Sequence, residues 1–112
     1  MANYQFSLTQ VMQATNAILK KLTSASVFGG VTTDTRKIEE GMLFIALKGE
    51  NFDGHDFIAD AAKKGAIGAI VNKDYDISLI EDIDIDILAV DDTLKAYQDL
   101  AHFWRKKFNI PV

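Results

Sequence analysis

Three short apolar segments, separated by stretches with helical periodicity, constrain the fold of this chain more than any other feature. Residues 42–47, 66–71 and 88–90 are apolar almost throughout and have strand length, which is typical of strands buried on both faces of a sheet. Residues 53–64 and 92–108 carry apolar side chains at helical spacing. Strands that alternate with helices predict an α/β fold: a small layered domain with a mixed or largely parallel sheet flanked by helices.

Local signals indicate where the helices begin and end. Ser7 and Gln10 have the spacing of a capping box, which predicts a first helix from about residue 7 to 15. Gly65 predicts the end of the second helix, in which we expect Phe57 to point inward. In the last helix, we expect the apolar residues at i, i+3, i+7, i+10 and i+14 to face the core: Leu94, Tyr97, Ala101, Trp104 and Phe108.

The composition excludes several classes of protein. The 112 residues are 48% hydrophobic and 25% charged, a balance typical of water-soluble domains. The absence of cysteine excludes a disulfide framework and a thiolate metal site. The first residues do not form a signal peptide, and no apolar stretch approaches the roughly 20 residues that span a bilayer. We therefore expect a cytoplasmic domain that does not contact the membrane.

The net charge of −4 is concentrated in one segment. Residues 74–86 contain six acids and no base, so the rest of the chain holds 12 basic and 10 acidic residues. That balance tolerates an anionic ligand, but it lacks the basic clusters of nucleic-acid-binding proteins. In residues 81–86 the acids alternate with isoleucines, and we expect a solvated strand face that protects a sheet edge rather than a cation site.

The sequence predicts neither catalytic residues nor metal ligands. His55 and His102 are the two histidines, and their positions do not match any usual metal-ligand spacing. We find no motif that combines a nucleophile, a base and an orienting group. The sequence also lacks Gly-x-x-x-x-Gly-Lys-[Ser/Thr] and Gly-x-Gly-x-x-Gly, so it contains no recognisable ATP cradle.

The β-branched residues Val31, Thr32 and Thr33 predict a further strand. Two polar segments lie where this strand and the strand at residues 42–47 end. Residues 33–36 read Thr-Asp-Thr-Arg, and residues 48–55 read Lys-Gly-Glu-Asn-Phe-Asp-Gly-His. In open α/β sheets, ligands bind beyond the carboxyl ends of the strands. The two segments therefore form a candidate binding site.

The side chains of these segments suit a nucleotide that carries a diphosphate. The hydroxyls of Thr33 and Thr35 can donate to phosphate oxygens, while Arg36 offers a two-point fork and Lys48 a point charge. Phe52 can cover the flat ring of a base.

The two segments allow two interpretations, a ligand-binding site or purely structural turns. Gly49 and Gly54 are expected to let the backbone approach a ligand closely, and the helix N-terminus after Gly54 to favour an anion. Alternatively, the first segment is an Asx-turn with a surface arginine, and the second is a helix entry capped by Asp53.

A long ordered pattern connects the chain to a known family. Residues 31–71, VTTDTRKIEEGMLFIALKGENFDGHDFIADAAKKGAIGAIV, closely resemble the N-terminal domain of the Mur ligases. The resemblance covers essentially all of the chain and implies one domain, residues 1–112, of the MurE/MurF N-terminal type. Residues 47–50 and 52–55 resemble most the branch that adds D-alanyl-D-alanine to UDP-MurNAc-tripeptide. The sibling branch, which adds the third peptide residue, usually has Asp-Ser-Arg at positions 34–36.

The resemblance implies that the domain binds the UDP moiety of UDP-MurNAc-tripeptide, a precursor of bacterial peptidoglycan. The nucleotide contacts of the family fall on the two segments described above, with the second extended to residues 46–53. The site residues implied are Thr33, Asp34, Thr35, Arg36, Ala46, Leu47, Lys48, Gly49, Glu50, Asn51, Phe52 and Asp53.

The resemblance also implies partners in the complete enzyme. In the family, a central domain binds ATP and magnesium and activates the substrate carboxylate as an acyl phosphate, and a third domain helps to place the incoming amine. We expect residues 1–112 to act with such central and C-terminal domains, to bind no cofactor and to be inactive alone. Two alternatives stay open: the N-terminal domain of the sibling branch, and a stand-alone non-catalytic binding module of the same fold.

Overall fold

In a computed structural model, the chain forms a five-stranded mixed sheet with helices on both faces. The structure describes residues 6–23 and 27–108, with side chains up to residue 106. The strands are β1 (Phe6–Ser7), β2 (Ile18–Lys21), β3 (Val27–Phe28), β4 (Val31–Thr32), β5 (Leu43–Ile45), β6 (Gly68–Asn72) and β7 (Asp86–Val90). The α-helices are α1 (Leu8–Thr15), α2 (Ile58–Lys63) and α3 (Thr93–Phe108), and short 3-10 helices cover Thr35–Lys37, Gly54–Phe57 and Ile77–Ile80.

The large sheet brings the carboxyl ends of four strands to one edge. Its spatial order is β2-β7-β6-β5-β4. The strands β4, β5, β6 and β7 are parallel, whereas β2 runs antiparallel to β7. The strands β1 and β3 form a separate antiparallel pair. The prediction of an α/β fold with a mixed sheet flanked by helices is confirmed.

Strand β5 shows how the sheet divides the core into two layers. Leu43 and Ile45 belong to the core under α1 and α3, and Phe44 belongs to the core under α2. All three residues are buried, as the continuous apolar run predicted. Burying each such side chain contributes about 1.5–3 kcal/mol, so the sheet that carries the candidate site is firmly held on both faces.

The predicted helix ends are confirmed where the sequence supplies capping chemistry. Ser7 and Gln10 form the capping box of α1. Gly65 has a φ of +115°, which other residues rarely adopt, and a Cβ there would lie 2.8 Å from the Cα of Glu40. Within the described ranges, no helix is long and apolar enough to cross a membrane.

The inward face of α3 differs from the predicted one. Leu94 is 52% exposed and Tyr97 is 39% exposed, so the prediction was wrong for both. Ala96 and Leu100 face the core instead. The helix carries apolar residues on two adjacent faces, and the small side chain of Ala96 selects the face that can approach the sheet.

Two other aromatic residues were predicted to point inward. Trp104 does so, since it packs against the core under α1 and α3 and lies edge-on to Phe6 at 5.8 Å between ring centroids. Phe57 is 38% exposed, so that prediction was wrong. The side chain of Phe108 lies outside those described.

The acidic run at residues 81–86 has a different structure from the predicted strand face. Glu81, Asp82 and Asp84 are exposed as expected, but they precede β7 rather than forming part of it. The strand lies between β2 and β6, so its acids do not protect an edge. Asp86 is fully buried, where one carboxylate oxygen accepts hydrogen bonds from the N–H of Thr23 (2.7 Å) and from its hydroxyl (3.0 Å).

Candidate functional site

Two clefts open at the carboxyl edge of the sheet. The first, which we call the aromatic cleft, has a volume of about 350 Å³ and is lined by Thr33, Asp34, Thr35, Arg36, Phe44, Phe52 and Phe57. The second, which we call the acidic groove, has a volume of about 490 Å³ and is lined by Lys48, Asp53, His55, Asn72, Asp74, Tyr75, Asp76, Asp91 and Asp92.

The turn after β4 is rigidly organised around Asp34. Its carboxylate accepts a hydrogen bond from the backbone N–H of Arg36 at 2.9 Å and so caps the 3-10 helix Thr35–Lys37. The same carboxylate holds the guanidinium of Arg36 at two points, with Nε–Oδ1 at 3.1 Å and Nη2–Oδ2 at 2.9 Å. The hydrogen bonds from Arg36 lower the pKa of Asp34 from 3.8 to about 2. Both groups therefore stay charged at neutral pH.

This turn still has donors to offer a ligand. A guanidinium has five N–H bonds, and the pair with Asp34 uses two of those of Arg36. The Arg36 side chain is 86% exposed, so its remaining donors point into solvent. Neither the Thr33 nor the Thr35 hydroxyl bonds to another group among residues 6–23 and 27–108. The turn presents two hydroxyls and a cation whose orientation is set by Asp34.

A pair of stacked rings forms the other wall of the aromatic cleft. The rings of Phe52 and Phe57 lie 5.3 Å apart at an interplanar angle of 15°. Phe52 is 51% exposed, which is unusual for a large apolar side chain in an ordered loop. Phe57 was expected in the core, so this pairing was not predicted. The cleft thus combines polar donors with a flat apolar surface.

The loop between β5 and α2 separates the two clefts. Ala46 is buried and Leu47 is half-buried, so the start of the loop belongs to the fold. Lys48 and Asp53 form an antiparallel bridge, and the N–H of Gly49 donates to the carbonyl of Phe52 at 2.7 Å. These contacts turn the exposed tip, Gly49, Glu50, Asn51 and Phe52, back on itself.

Gly54 is needed for this loop to close. A Cβ on Gly54 would lie 2.8 Å from the nitrogen and 2.9 Å from the oxygen of Leu47. The N–H of Gly54 donates to that same oxygen at 2.6 Å. Asp53 accepts from the N–H of His55 and caps the short helix, so an anion already occupies the helix N-terminus. The capped helix entry is confirmed, and close ligand approach at Gly54 stays a prediction.

His55 is the central residue of a hydrogen-bond network that the sequence did not predict. Its side chain is buried, and Nδ1 lies 2.6 Å from Oδ1 of Asp53. Nε2 accepts a hydrogen bond from the backbone N–H of Asn72 at 3.0 Å. Partial burial would raise the pKa of Asp53, but the hydrogen bonds from His55 and the charge of Lys48 outweigh it, so the pKa is lowered. The sequence signal that could have predicted the contact between Asp53 and His55 is the Asp-Gly-His spacing at the start of a helix.

The acidic groove carries charge of the opposite sign to that needed for a phosphate. Five aspartates line it against one lysine, Lys48. Tyr75 lies beside His55 with ring centroids 4.8 Å apart, and burial together with nearby aspartates raises its pKa. Among residues 6–23 and 27–108, no three histidine, aspartate or glutamate side chains are grouped so that they could hold a metal ion.

The structure brings only part of the predicted site together. Residues 33–36 and Phe52 share the aromatic cleft, whereas Lys48 and Asp53 line the acidic groove. Residues 49–51 form the exposed loop tip, and residues 46–47 anchor the loop in the fold. Arg36 and Lys48, both predicted to contact a diphosphate, therefore line different clefts.

The fold and the site define an α/β domain with a polar and aromatic cleft at the carboxyl edge of a mixed sheet. The chain belongs to the Mur ligase family, because the family profile described as "Mur ligase family, catalytic domain" matches residues 27–105.

Relatives and solved structures agree with this assignment. The chain is 37% identical over 113 aligned positions, 98% of its length, to the UDP-N-acetylmuramoyl-tripeptide–D-alanyl-D-alanine ligase of Synechocystis. It is 45% identical over 96 positions, 85% of its length, to the ligase of the same name from Escherichia coli K12. It spans 24% and 20% of these two relatives. It also resembles the crystal structure of MurF from Acinetobacter baumannii, with a TM-score of 0.76 and 32% identity over 94% of this chain and 22% of that one.

Proposed function

We propose that this chain is the substrate-recognition domain of an ATP-dependent ligase of peptidoglycan synthesis, and that it binds the UDP moiety of UDP-MurNAc-tripeptide. In this proposal, the complete enzyme joins D-alanyl-D-alanine to that substrate. The observation that carries UDP binding is the aromatic cleft, where Phe52 shares one cavity with Arg36 and with two threonine hydroxyls that have no partner in the described part of the chain.

In this proposal, the turn after β4 binds the diphosphate. Thr33 and Thr35 would each donate one hydroxyl hydrogen bond, and Arg36 would donate from the N–H bonds that Asp34 leaves unused. The ion pair with Asp34 restricts the rotamers of Arg36 before the ligand arrives, which reduces the entropy lost on binding. The carboxylate also repels the phosphate, so the net affinity of this turn is moderate.

In this proposal, the uracil ring binds on the side of the cleft that is formed by Phe52. The exposed face of Phe52 can stack on a base, and Phe57 supports it from behind. Stacking on an aromatic side chain contributes about 1–3 kcal/mol per base, so the loop would hold the ring while the turn holds the phosphates.

Lys48 has a smaller part in this proposal than the sequence suggested. It lies in the groove with five aspartates, whose charges offset its attraction for a phosphate. Its pairing with Asp53 in the loop bridge gives it a structural role as well. We therefore assign Lys48 a long-range contribution to UDP binding.

The residues present do not fit ATP and magnesium. The sequence has no Gly-rich phosphate loop, and the described part of the chain has no cluster that could hold a metal ion. We assign ATP chemistry to the central domain of the complete enzyme and derive no step of it from residues 1–112. Neither phosphate release from ATP nor ligation is expected from residues 1–112 alone.

The branch that adds D-alanyl-D-alanine is favoured over the sibling branch by the extent of the alignments. Two relatives with this printed activity align over 98% and 85% of the chain. The Asp34-Thr35-Arg36 sequence agrees with this branch, as the resemblance implied. The discriminating measurement is the choice between the two amino substrates by the complete enzyme.

The test of UDP binding is a titration of the ¹⁵N-labelled chain with UDP, uridine and ATP, followed by NMR. We expect UDP to shift the amides of residues 33–36 and Phe52, uridine to shift Phe52 alone, and ATP to produce weaker changes. Shifts confined to residues 72–76 would contradict the proposal, because they would place the ligand in the acidic groove. The variant Lys64→Ala, which removes an equal charge just after α2 and beside Asp60, is the matched control for Arg36→Ala.

A further inference from the structure

His55 is buried in the wall that separates the two clefts. Its side chain is 4% exposed, and both ring nitrogens have partners. One partner, Asp53, closes the loop that carries Phe52. The other, Asn72, is the last residue of β6. The imidazole therefore connects a loop to the central part of the sheet through two hydrogen bonds.

The hydrogen-bond network assigns the tautomer of His55. The backbone N–H of Asn72 can only donate, so Nε2 must be the unprotonated nitrogen. The proton then lies on Nδ1 and is donated to Oδ1 of Asp53, 2.6 Å away. A neutral ring with one donor and one acceptor matches both partners, and the bond to the carboxylate is the stronger of the two.

The connection continues beyond His55. The side-chain oxygen of Asn72 accepts a hydrogen bond from the backbone N–H of Thr93, the first residue of α3, at 3.0 Å. Asn72 thus bonds to His55 through its backbone and to α3 through its side chain. The network runs from the loop through the end of β6 to the start of the last helix.

His55 supplies the side-chain link between this loop and β6. Residues 49–52 are exposed. Their loop is closed by the bridge between Lys48 and Asp53 and by the hydrogen bonds from Gly49 to Phe52 and from Gly54 to Leu47, and the ring of Phe52 stacks on Phe57. These contacts shape the loop but do not fix it against the sheet. The ring of His55 does so, and the position of Phe52 depends on where the loop is fixed.

We propose that His55 is a positioning residue for the aromatic cleft. As the Nδ1–H tautomer between Asp53 and Asn72, it anchors the loop of residues 48–53 to the end of β6 and so sets the place of Phe52 beside Phe57. The consequence for binding rests on the proposed function, because it is measured as affinity for UDP. The anchoring itself can be measured without a ligand.

Two conservative variants separate the two hydrogen bonds. In His55→Asn, the amide nitrogen reaches the place of Nδ1 and keeps the bond to Asp53, but the acceptor for Asn72 is lost. In His55→Gln, the amide oxygen reaches the place of Nε2 and keeps the bond to Asn72, but the side-chain donor to Asp53 is lost and only the backbone N–H of residue 55 still donates to that carboxylate. His102→Gln, at the exposed second histidine on α3, is the control. All are titrated with UDP and with pyrophosphate, which tests the turn of residues 33–36 without the base.

We expect each His55 variant to lose about five- to tenfold in affinity for UDP and to keep its affinity for pyrophosphate, since one positioning hydrogen bond is lost and the turn is untouched. His102→Gln should match the wild type with both ligands. Unchanged UDP affinity in both His55 variants would overturn the proposal. An equal loss for UDP and pyrophosphate would overturn it too, because that would indicate general destabilisation.

A ligand-independent measurement distinguishes this inference from the proposed function. In the wild type, the ring ¹⁵N shifts of His55 should report a protonated Nδ1 and an unprotonated Nε2, and NOEs should connect the rings of Phe52 and Phe57. Those NOEs should weaken in both His55 variants and persist in His102→Gln. If the wild type fails to bind UDP, the proposed function is wrong, and the NOEs alone decide the role of His55. NOEs that persist in both His55 variants would refute that role.

Discussion

The aromatic cleft and the acidic groove open at the same edge of the same sheet, yet their charges differ. The aromatic cleft has one ion pair, a stacked pair of rings and two threonine hydroxyls without a partner among the described residues. The acidic groove has five aspartates and one lysine. The rule that ligands bind beyond the carboxyl ends of strands therefore indicates the edge, and the side chains of neighbouring loops set the charge at each position along it.

Arg36 and Lys48 line different clefts, and removing each of them should change the affinity for UDP by very different amounts. Arg36→Ala is expected to weaken UDP binding by about 10- to 150-fold, because it removes a charge-assisted hydrogen bond to the phosphates. Lys48→Ala should weaken it by less than about threefold, since groove aspartates offset its charge. The measurement is isothermal titration calorimetry of UDP into the chain. A larger loss for Lys48→Ala would show that the phosphates bind on the groove side.

The loop between the clefts contains two glycines, and the stability of the fold should depend on only one of them. Gly54→Ala is expected to lower the free energy of unfolding by about 1–3 kcal/mol, because the added Cβ meets backbone atoms of Leu47 that cannot move away. Gly49→Ala is the matched control, as its Cβ would lie 3.8 Å from the nearest atom and should change stability by less than about 0.5 kcal/mol. Urea unfolding measures both. Equal unfolding midpoints would mean that the loop does not close as described.

Substitutions at an aromatic residue of each cleft should affect nucleotide binding differently. Phe52→Ala is expected to weaken uridine and UDP equally, by about fivefold, because stacking is worth about 1 kcal/mol at the lower end of its range when Phe57 remains. Tyr75→Phe, which removes only a hydroxyl in the acidic groove, should leave both affinities unchanged. A loss for UDP but not for uridine in Phe52→Ala would place the phosphates, rather than the base, beside this ring.

The smallest effect concerns the charge of Asp34. Its pKa of about 2 in the folded chain lies below its ordinary 3.8, so the ion pair's contribution to stability is complete above about pH 4 and is lost as the pH falls through 2. Arg36→Gln should raise the pKa of Asp34 towards 3.8. Carboxyl ¹³C shifts followed by NMR between pH 5 and 2 measure both values. An unchanged pKa in Arg36→Gln would show that Arg36 does not hold this carboxylate.

The sequence predicted the framework of the site because it was encoded in local pattern. The apolar run around Leu43–Ile45 indicated a strand buried on both faces, and the capping box at Ser7 indicated where α1 begins. The segments after β4 and β5 were recognised from their polar residues directly after apolar runs. Each of these signals depends on neighbours within a few positions along the chain.

The sequence did not predict which of two neighbouring faces a side chain would take. Leu94 and Tyr97 fit the helical period as well as Ala96 and Leu100 do, and packing against α1 and the sheet decides between them. Phe57 fits an inward helix face, but a short 3-10 helix before α2 turns it towards Phe52 instead. The helical spacing of apolar residues does not specify where the neighbouring sheet or helix lies.

The sequence by itself determined the alternation of strands and helices and the two polar segments, because these follow from local periodicity and residue type. It indicated the family through the long ordered motif of residues 31–71. Only the tertiary structure decided that Arg36 and Lys48 line different clefts and that His55 joins the loop to β6. Both depend on which strand exits become neighbours when β4, β5 and β6 pair, and on the charges that then face each other. Such contacts join residues distant in sequence, so no local pattern specifies them.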